Sequence, residues 1–132
     1  MKRRPIFLFA MSLLAAALTV NQVQAADSAE SQLQALQQQG ARPFDAQAGQ
    51  ELWQQQVNGR SCSQCHNADP DQPGTHQRTG KAIPPMSVRA NPKRFTDAAN
   101  TEKWFRRNCR WTLGRECSAQ EKGDVIRWLS QP

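Results

Sequence analysis

The chain has 132 residues, with 17 Lys/Arg against 11 Asp/Glu and a formal net charge of +6. That length suits one domain with a modest core. The charge gives no support to nucleic-acid binding, because Lys2, Arg3 and Arg4 stand at the extreme start and the rest of the chain carries only 14 basic against 11 acidic residues. Residues 1–25 have the parts of a secretory signal: that basic start, an apolar stretch over 6–20, and Val23-Gln24-Ala25 as a small-residue cleavage site. The expected mature protein begins at Ala26, is soluble, and resides in a bacterial periplasm or an equivalent oxidising compartment.

Residues 26–43 are Gln-rich, with Leu33 and Leu36 at helical spacing and Gly40 as a C-cap, and read as a peripheral helix or a frayed leader. The main domain is expected over 44–132. Its first helix fits 45–57, with Asp45 as N-cap and Leu52, Trp53 and Val57 turned inward. Gly49 lies one turn before Trp53, where a small residue lets another helix cross closely. Cys62-Ser63-Gln64-Cys65-His66 follows, a C-x-x-C-H run that in an exported chain reads as covalent c-type haem attachment. Each thiol adds to one vinyl group of a single porphyrin, and the His66 imidazole falls beneath the iron as its axial ligand. Zinc would need two more ligands, and Cys109 and Cys117 are not paired at C-x-x-C spacing.

Residues 67–92 carry five prolines and two glycines and read as a loop wrapping one side of the haem. A third helix fits 96–109, with Trp104 and Phe105 as its large apolar members. Cys109 and Cys117 are left to pair as a disulfide in an oxidising compartment. A continuous helix would hold them about 12 Å apart, so the chain must turn between them, with Gly114 the obvious residue to allow it. Ser118-Ala119-Gln120-Glu121 is a capping box that opens a last helix, with Val125, Ile126, Trp128 and Leu129 on its apolar side. Trp53, Trp104, Trp111 and Trp128 are expected in the core. No strand signal is visible. Arg89, Lys93, Arg94, Lys103, Arg106, Arg107, Arg110 and Arg115 form a basic cluster, either a solvated face or a surface that steers an acidic redox partner. The expected fold is all-α, with three to five helices around one covalent haem.

The layout resembles a class I cytochrome c, with Gly49 and Trp53 on the helix before the haem motif and Trp128 on the last helix. Several blocks in the second half are more particular: Arg78-Thr79-Gly80-Lys81, Asn91-Pro92-Lys93-Arg94-Phe95-Thr96-Asp97, 102–109 with Trp104-Phe105 and Asn108-Cys109, and Gly114-Arg115-Glu116-Cys117 followed by Glu121-Lys122. These resemble the Sphaeroides haem protein family, small monohaem cytochromes c also labelled as a domain of unknown function. The resemblance implies an asparagine axial ligand that coordinates ferric iron and detaches on reduction. It places that ligand at Asn108 and a disulfide at Cys109–Cys117. It also implies oxygen or nitric oxide as ligand of the ferrous haem, with a dihaem cytochrome c and a membrane cytochrome b as redox partners.

Judged from the residues alone, Met86 of Pro84-Pro85-Met86 is the leading sixth ligand and His76 the second. An amide oxygen is hard and weakly donating, so it tolerates ferric iron better than ferrous, which makes Asn108 a coherent redox gate. With the resemblance included, Asn108 is favoured and Met86 is the alternative. Three functions compete: a gas-binding haem protein that exchanges electrons with other cytochromes, an ordinary His66/Met86 electron carrier, and an enzyme converting oxygen, peroxide or nitric oxide. The enzyme ranks lowest, since the sequence shows no distal acid–base pair beyond His76 and Arg78.

Overall fold

The computed structural model describes residues 28–132, so the signal segment lies outside the described residues. Five helices and one small ribbon follow in order: α1 Ala29–Gln38, α2 Ala46–Gln54, α3 Ser63–His66, β1 Gly74–Thr75, β2 Ala82–Ile83, α4 Ala98–Leu113 and α5 Ala119–Leu129. The ribbon is antiparallel, pairing Gly74 with Ile83 and Thr75 with Ala82. The fold is all-α as expected, with this two-residue ribbon as a local addition. The 76–81 turn closes it, with the His76 amide donating to the Lys81 carbonyl at 2.8 Å. A two-residue strand is too short to leave an alternating pattern in the sequence. Among the described residues no helix is long and apolar enough to cross a membrane.

The core is small and continuous: Leu33, Leu36, Trp53, Phe95, Val125, Ile126 and Leu129. Each such side chain contributes roughly 1.5–3 kcal/mol when fully buried. Of the two forms expected for this segment, helix or frayed leader, it takes the helix, α1, and Leu33 and Leu36 dock it on the core instead of leaving it peripheral. Leu33 is only 1% exposed, and the buried Gln32 amide donates to the Phe95 carbonyl at 2.8 Å. The two leucines, three positions apart on one helical face, suffice to dock α1 on the domain.

Helices α2 and α5 cross at Gly49. A Cβ there would stand 2.1 Å from the Asp124 carbonyl oxygen, so only glycine permits the approach. The buried Asp124 carboxylate uses the same crossing, accepting from the Asp45 amide at 2.8 Å and the Gln120 side chain at 2.9 Å. Asp45 caps α2 as expected, but the helix stops at Gln54. Val57 lies in a tight turn instead, bridged to Arg60. Helix α4 runs four residues past its expected end, to Leu113, where Gly114 takes a left-handed φ of 72°. That reversal brings the Cα atoms of Cys109 and Cys117 to 5.6 Å, and the two form a disulfide. Ser118 and Glu121 form the capping box of α5.

The tryptophans divide. Trp53 is buried and stacks edge-on against Trp128 at 5.5 Å. Trp104 and Trp111 contradict the core expectation, being 46% and 44% exposed. They lie on the flank of α4 away from the core, and cations rather than apolar side chains cover their faces: Arg107 at 5.1 Å from Trp104 and Arg60 at 4.9 Å from Trp111.

Candidate haem site

Cys62 to His66 forms a single helical turn, closed by the His66 amide donating to the Cys62 carbonyl at 3.1 Å. Cys62 and Cys65, three positions apart, share a face of that turn and are both free and half-buried. The turn is braced on two sides. Trp53 Nε1 donates to the Asn67 carbonyl at 2.8 Å, and the Trp53 ring lies 5.5 Å from the His66 ring. On the other side Gly74 of β1 presses against the motif: a Cβ there would lie 2.0 Å from the Cys65 carbonyl oxygen. The α2–α5 crossing and the ribbon therefore both converge on the attachment motif.

Electrostatics leave His66 neutral. Burial pushes its pKa down to about 4, with the charges of Arg94 and His76 acting in the same direction. Its Nδ1 is buried without a hydrogen-bond partner among the described residues. A buried, neutral imidazole with unspent polar capacity suits a metal ligand. Burial also raises the Cys62 thiol to about 11, partly offset by hydrogen bonds including one from the Thr112 side chain. That contact links α4 to the motif. These residues fit a covalently held haem: two free thiols on one turn, a neutral imidazole beside them, and a backbone cradle that a Cβ would fill.

Asn108 lies on α4 one turn before Thr112, about 6 Å along the helix axis, and is half-buried. No hydrogen bond to its side-chain amide is found among the described residues. Its backbone position is held by the Cys109–Cys117 disulfide at the next residue, and the Arg60 guanidinium donates to the Trp111 carbonyl at 3.0 Å, tying the end of α4 to the loop before Cys62. Met86 stands differently: its side chain packs against the hydrophobic core, and its amide donates to the Pro70 carbonyl at 2.8 Å. His76 is exposed in the ribbon turn, its Nδ1 accepting from the Thr79 amide at 3.3 Å.

Two site neighbours escaped sequence reasoning. Thr112 had no motif to mark it. Arg94 looked like one member of a solvated basic face, but it is half-buried, donating to the Pro84 and Pro85 carbonyls at 2.7 and 2.8 Å. Its place in the Asn91–Asp97 block was the available signal.

The fold and the Cys62–His66 motif define a c-type cytochrome with one covalent haem. Comparison with known proteins narrows the class. The family described as a domain of unknown function (DUF1924) matches residues 39–129. The cytochrome c-type protein SHP of Cereibacter sphaeroides is 40% identical over 124 residues, spanning 89% of this chain and 95% of that protein. Cytochrome c'' of Methylophilus methylotrophus is 42% identical over 69 residues, 52% of this chain and 48% of its own length. Among solved structures, oxidised SHP, described as an oxygen binding cytochrome c, matches with a TM-score of 0.75 and 38% identity, covering 80% of this chain and 98% of that one. Oxidised cytochrome c'' from Methylophilus methylotrophus matches with a TM-score of 0.68 and 30% identity, covering 76% and 91%. The chain belongs to the DUF1924 family and is an SHP-type monohaem cytochrome c.

Proposed function

We propose that this is a periplasmic cytochrome whose sixth haem ligand is redox-labile. In this reading Cys62 and Cys65 would hold the haem through two thioether bonds, His66 would be the permanent protein ligand of its iron, and Asn108 would be the ligand of the oxidised state. The haem supplies a one-electron couple and, on its sixth side, a position for a small ligand. Electrons are exchanged with a dihaem cytochrome c and a membrane cytochrome b, and oxygen or nitric oxide enters once the protein is reduced. The oxygen binding ascribed to SHP supports the gas reading. The structure of cytochrome c'' described in terms of haem-ligand detachment supports the gate.

The observation that carries the proposal is the register of α4. Thr112 bears on the Cys62 thiol, lowering its pKa against the effect of burial, and Asn108 lies one turn away on the adjoining face, with no hydrogen bond to its side-chain amide among the described residues. The Asn108 amide oxygen is a hard donor that would bind ferric iron better than ferrous. The Cys109–Cys117 disulfide fixes the backbone while the side chain swings. Met86, packed against the core, is left in a structural role.

The test compares two variants of the ferric protein. Asn108→Ala should change the absorption spectrum and open the oxidised site to azide, whereas Met86→Leu, which conserves volume, should change little. A high-spin conversion caused by Met86→Leu alone would make this an ordinary electron carrier.

A further inference from the structure

Two exposed indoles on one helix call for an occupant. Trp104 and Trp111 are the large hydrophobic side chains left exposed among the described residues. At 3.6 residues per turn, Trp104, Asn108 and Trp111 fall within about 60° of one another around α4. Thr112, about 40° beyond Asn108 around the helix, bears on the Cys62 thiol and lowers its pKa. The flank of α4 that holds both tryptophans is therefore continuous with the one that meets the haem motif.

The rings are also held in place. Arg60 stacks on Trp111 at 4.9 Å and donates to its carbonyl, and Arg60 stands two residues before Cys62. Lys103 and Arg107 flank Trp104 at 5.5 and 5.1 Å. Ordered, exposed aromatic surface beside an attachment motif marks a surface built to be covered.

We propose that Trp104 and Trp111, on either side of Asn108, form the α4 wall of the haem site and are covered by the attached porphyrin. This rests on the reading that Cys62 and Cys65 carry the haem. The consequence is selectivity. Two indoles crowd the space around the Asn108 side chain, which admits diatomic ligands and slows longer ones such as azide by their size, while the cations on the indole faces leave the approach open to charge. Trp104 and Trp111 are positioning residues that act through what they exclude.

The test uses the isolated holoprotein, with no partner present. In the reduced protein saturated with carbon monoxide, which makes the ferrous haem diamagnetic, the indole protons of Trp104 and Trp111, assigned through Trp104→Phe and Trp111→Phe, should be shifted upfield by the porphyrin ring current. N-bromosuccinimide should oxidise both indoles much more slowly than a free tryptophan amide. Trp104→Ala should then accelerate azide binding to the ferric protein several-fold, while Trp104→Phe restores most of the barrier. Unshifted indole resonances together with fast oxidation would overturn the proposal and leave this flank as a docking surface for an acidic protein. The two readings fail separately. Protected indoles with an Asn108→Ala spectrum identical to the parent keep the wall and sink the ligand assignment. Exposed indoles with a changed Asn108→Ala spectrum do the reverse.

Discussion

Gly49→Ala should damage both the fold and the site, because the α2–α5 crossing has no room for a methyl group. The added Cβ would stand 2.1 Å from the Asp124 carbonyl oxygen and 2.8 Å from the Val125 nitrogen. Relief to an ordinary contact of about 3.5 Å requires the two backbones to separate by about 1.4 Å. Overpacking of this kind typically costs 1–3 kcal/mol, and backbone atoms on both sides place this case near about 3 kcal/mol. The better helix propensity of alanine returns about 1 kcal/mol. The net loss of about 2 kcal/mol should lower the melting temperature of a domain this size by about 10 °C. Thermal unfolding of the holoprotein, followed by circular dichroism, measures it. Because α2 carries Trp53, which holds the Asn67 carbonyl beside His66, the haem absorption bands should shift as well. Gly123→Ala provides the contrast. There the new methyl meets the Phe44 ring, 2.0 Å away at its nearest atom, and Phe44→Leu in the same chain should recover much of the loss. A Gly49→Ala protein as stable as the parent would refute the account of the crossing.

Replacing both Cys109 and Cys117 by Ser opens a loop with a sequence separation of 8 and should cost about 2.5 kcal/mol by loop-closure entropy, measurable by urea unfolding; an unchanged midpoint would contradict it. The same variant should narrow the difference between ferric and ferrous ligand-binding rates, since the backbone beside Asn108 loses its anchor. The hydrogen bond from Arg115 holds the Glu121 carboxyl well below its ordinary value of 4.5, at about 2, helped by the Ser118 amide. That contribution to stability is complete above about pH 4.5 and is lost as pH falls through about 2. The advantage of the parent over Glu121→Gln should therefore shrink across that window, and a pH-independent difference would contradict the assignment.

The attachment motif, the Asp45 cap, the Gly49 crossing and the Ser118 capping box were legible because each is a local code with a steric or hydrogen-bonding reason at fixed spacing. The end of α4 was not. Helix propensity continues past Cys109, and only the three-dimensional reversal at Gly114 lets a longer helix and the short Cys109–Cys117 approach coexist. The role of α1 was misjudged because two leucines in a Gln-rich segment look too few to dock, whereas a small core uses both. Trp104 and Trp111 were misplaced because hydrophobicity predicts burial without saying against what. Arg94 and Thr112 act through tertiary contacts that no periodicity encodes. The proposal of Asn108 as a ligand rests on family resemblance, since an isolated asparagine carries no ligand signature.

The claim on which the account turns is that Asn108 leaves the iron when the protein is reduced. Stopped-flow mixing of the reduced holoprotein with nitric oxide addresses it most directly. The account predicts an observed rate that rises linearly with nitric oxide concentration, with Asn108→Ala giving nearly the same rate in the ferrous state and faster azide binding in the ferric state. A ferrous rate that levels off at a slow, concentration-independent step would mean that a sixth ligand still occupies reduced iron, and the gate would not exist.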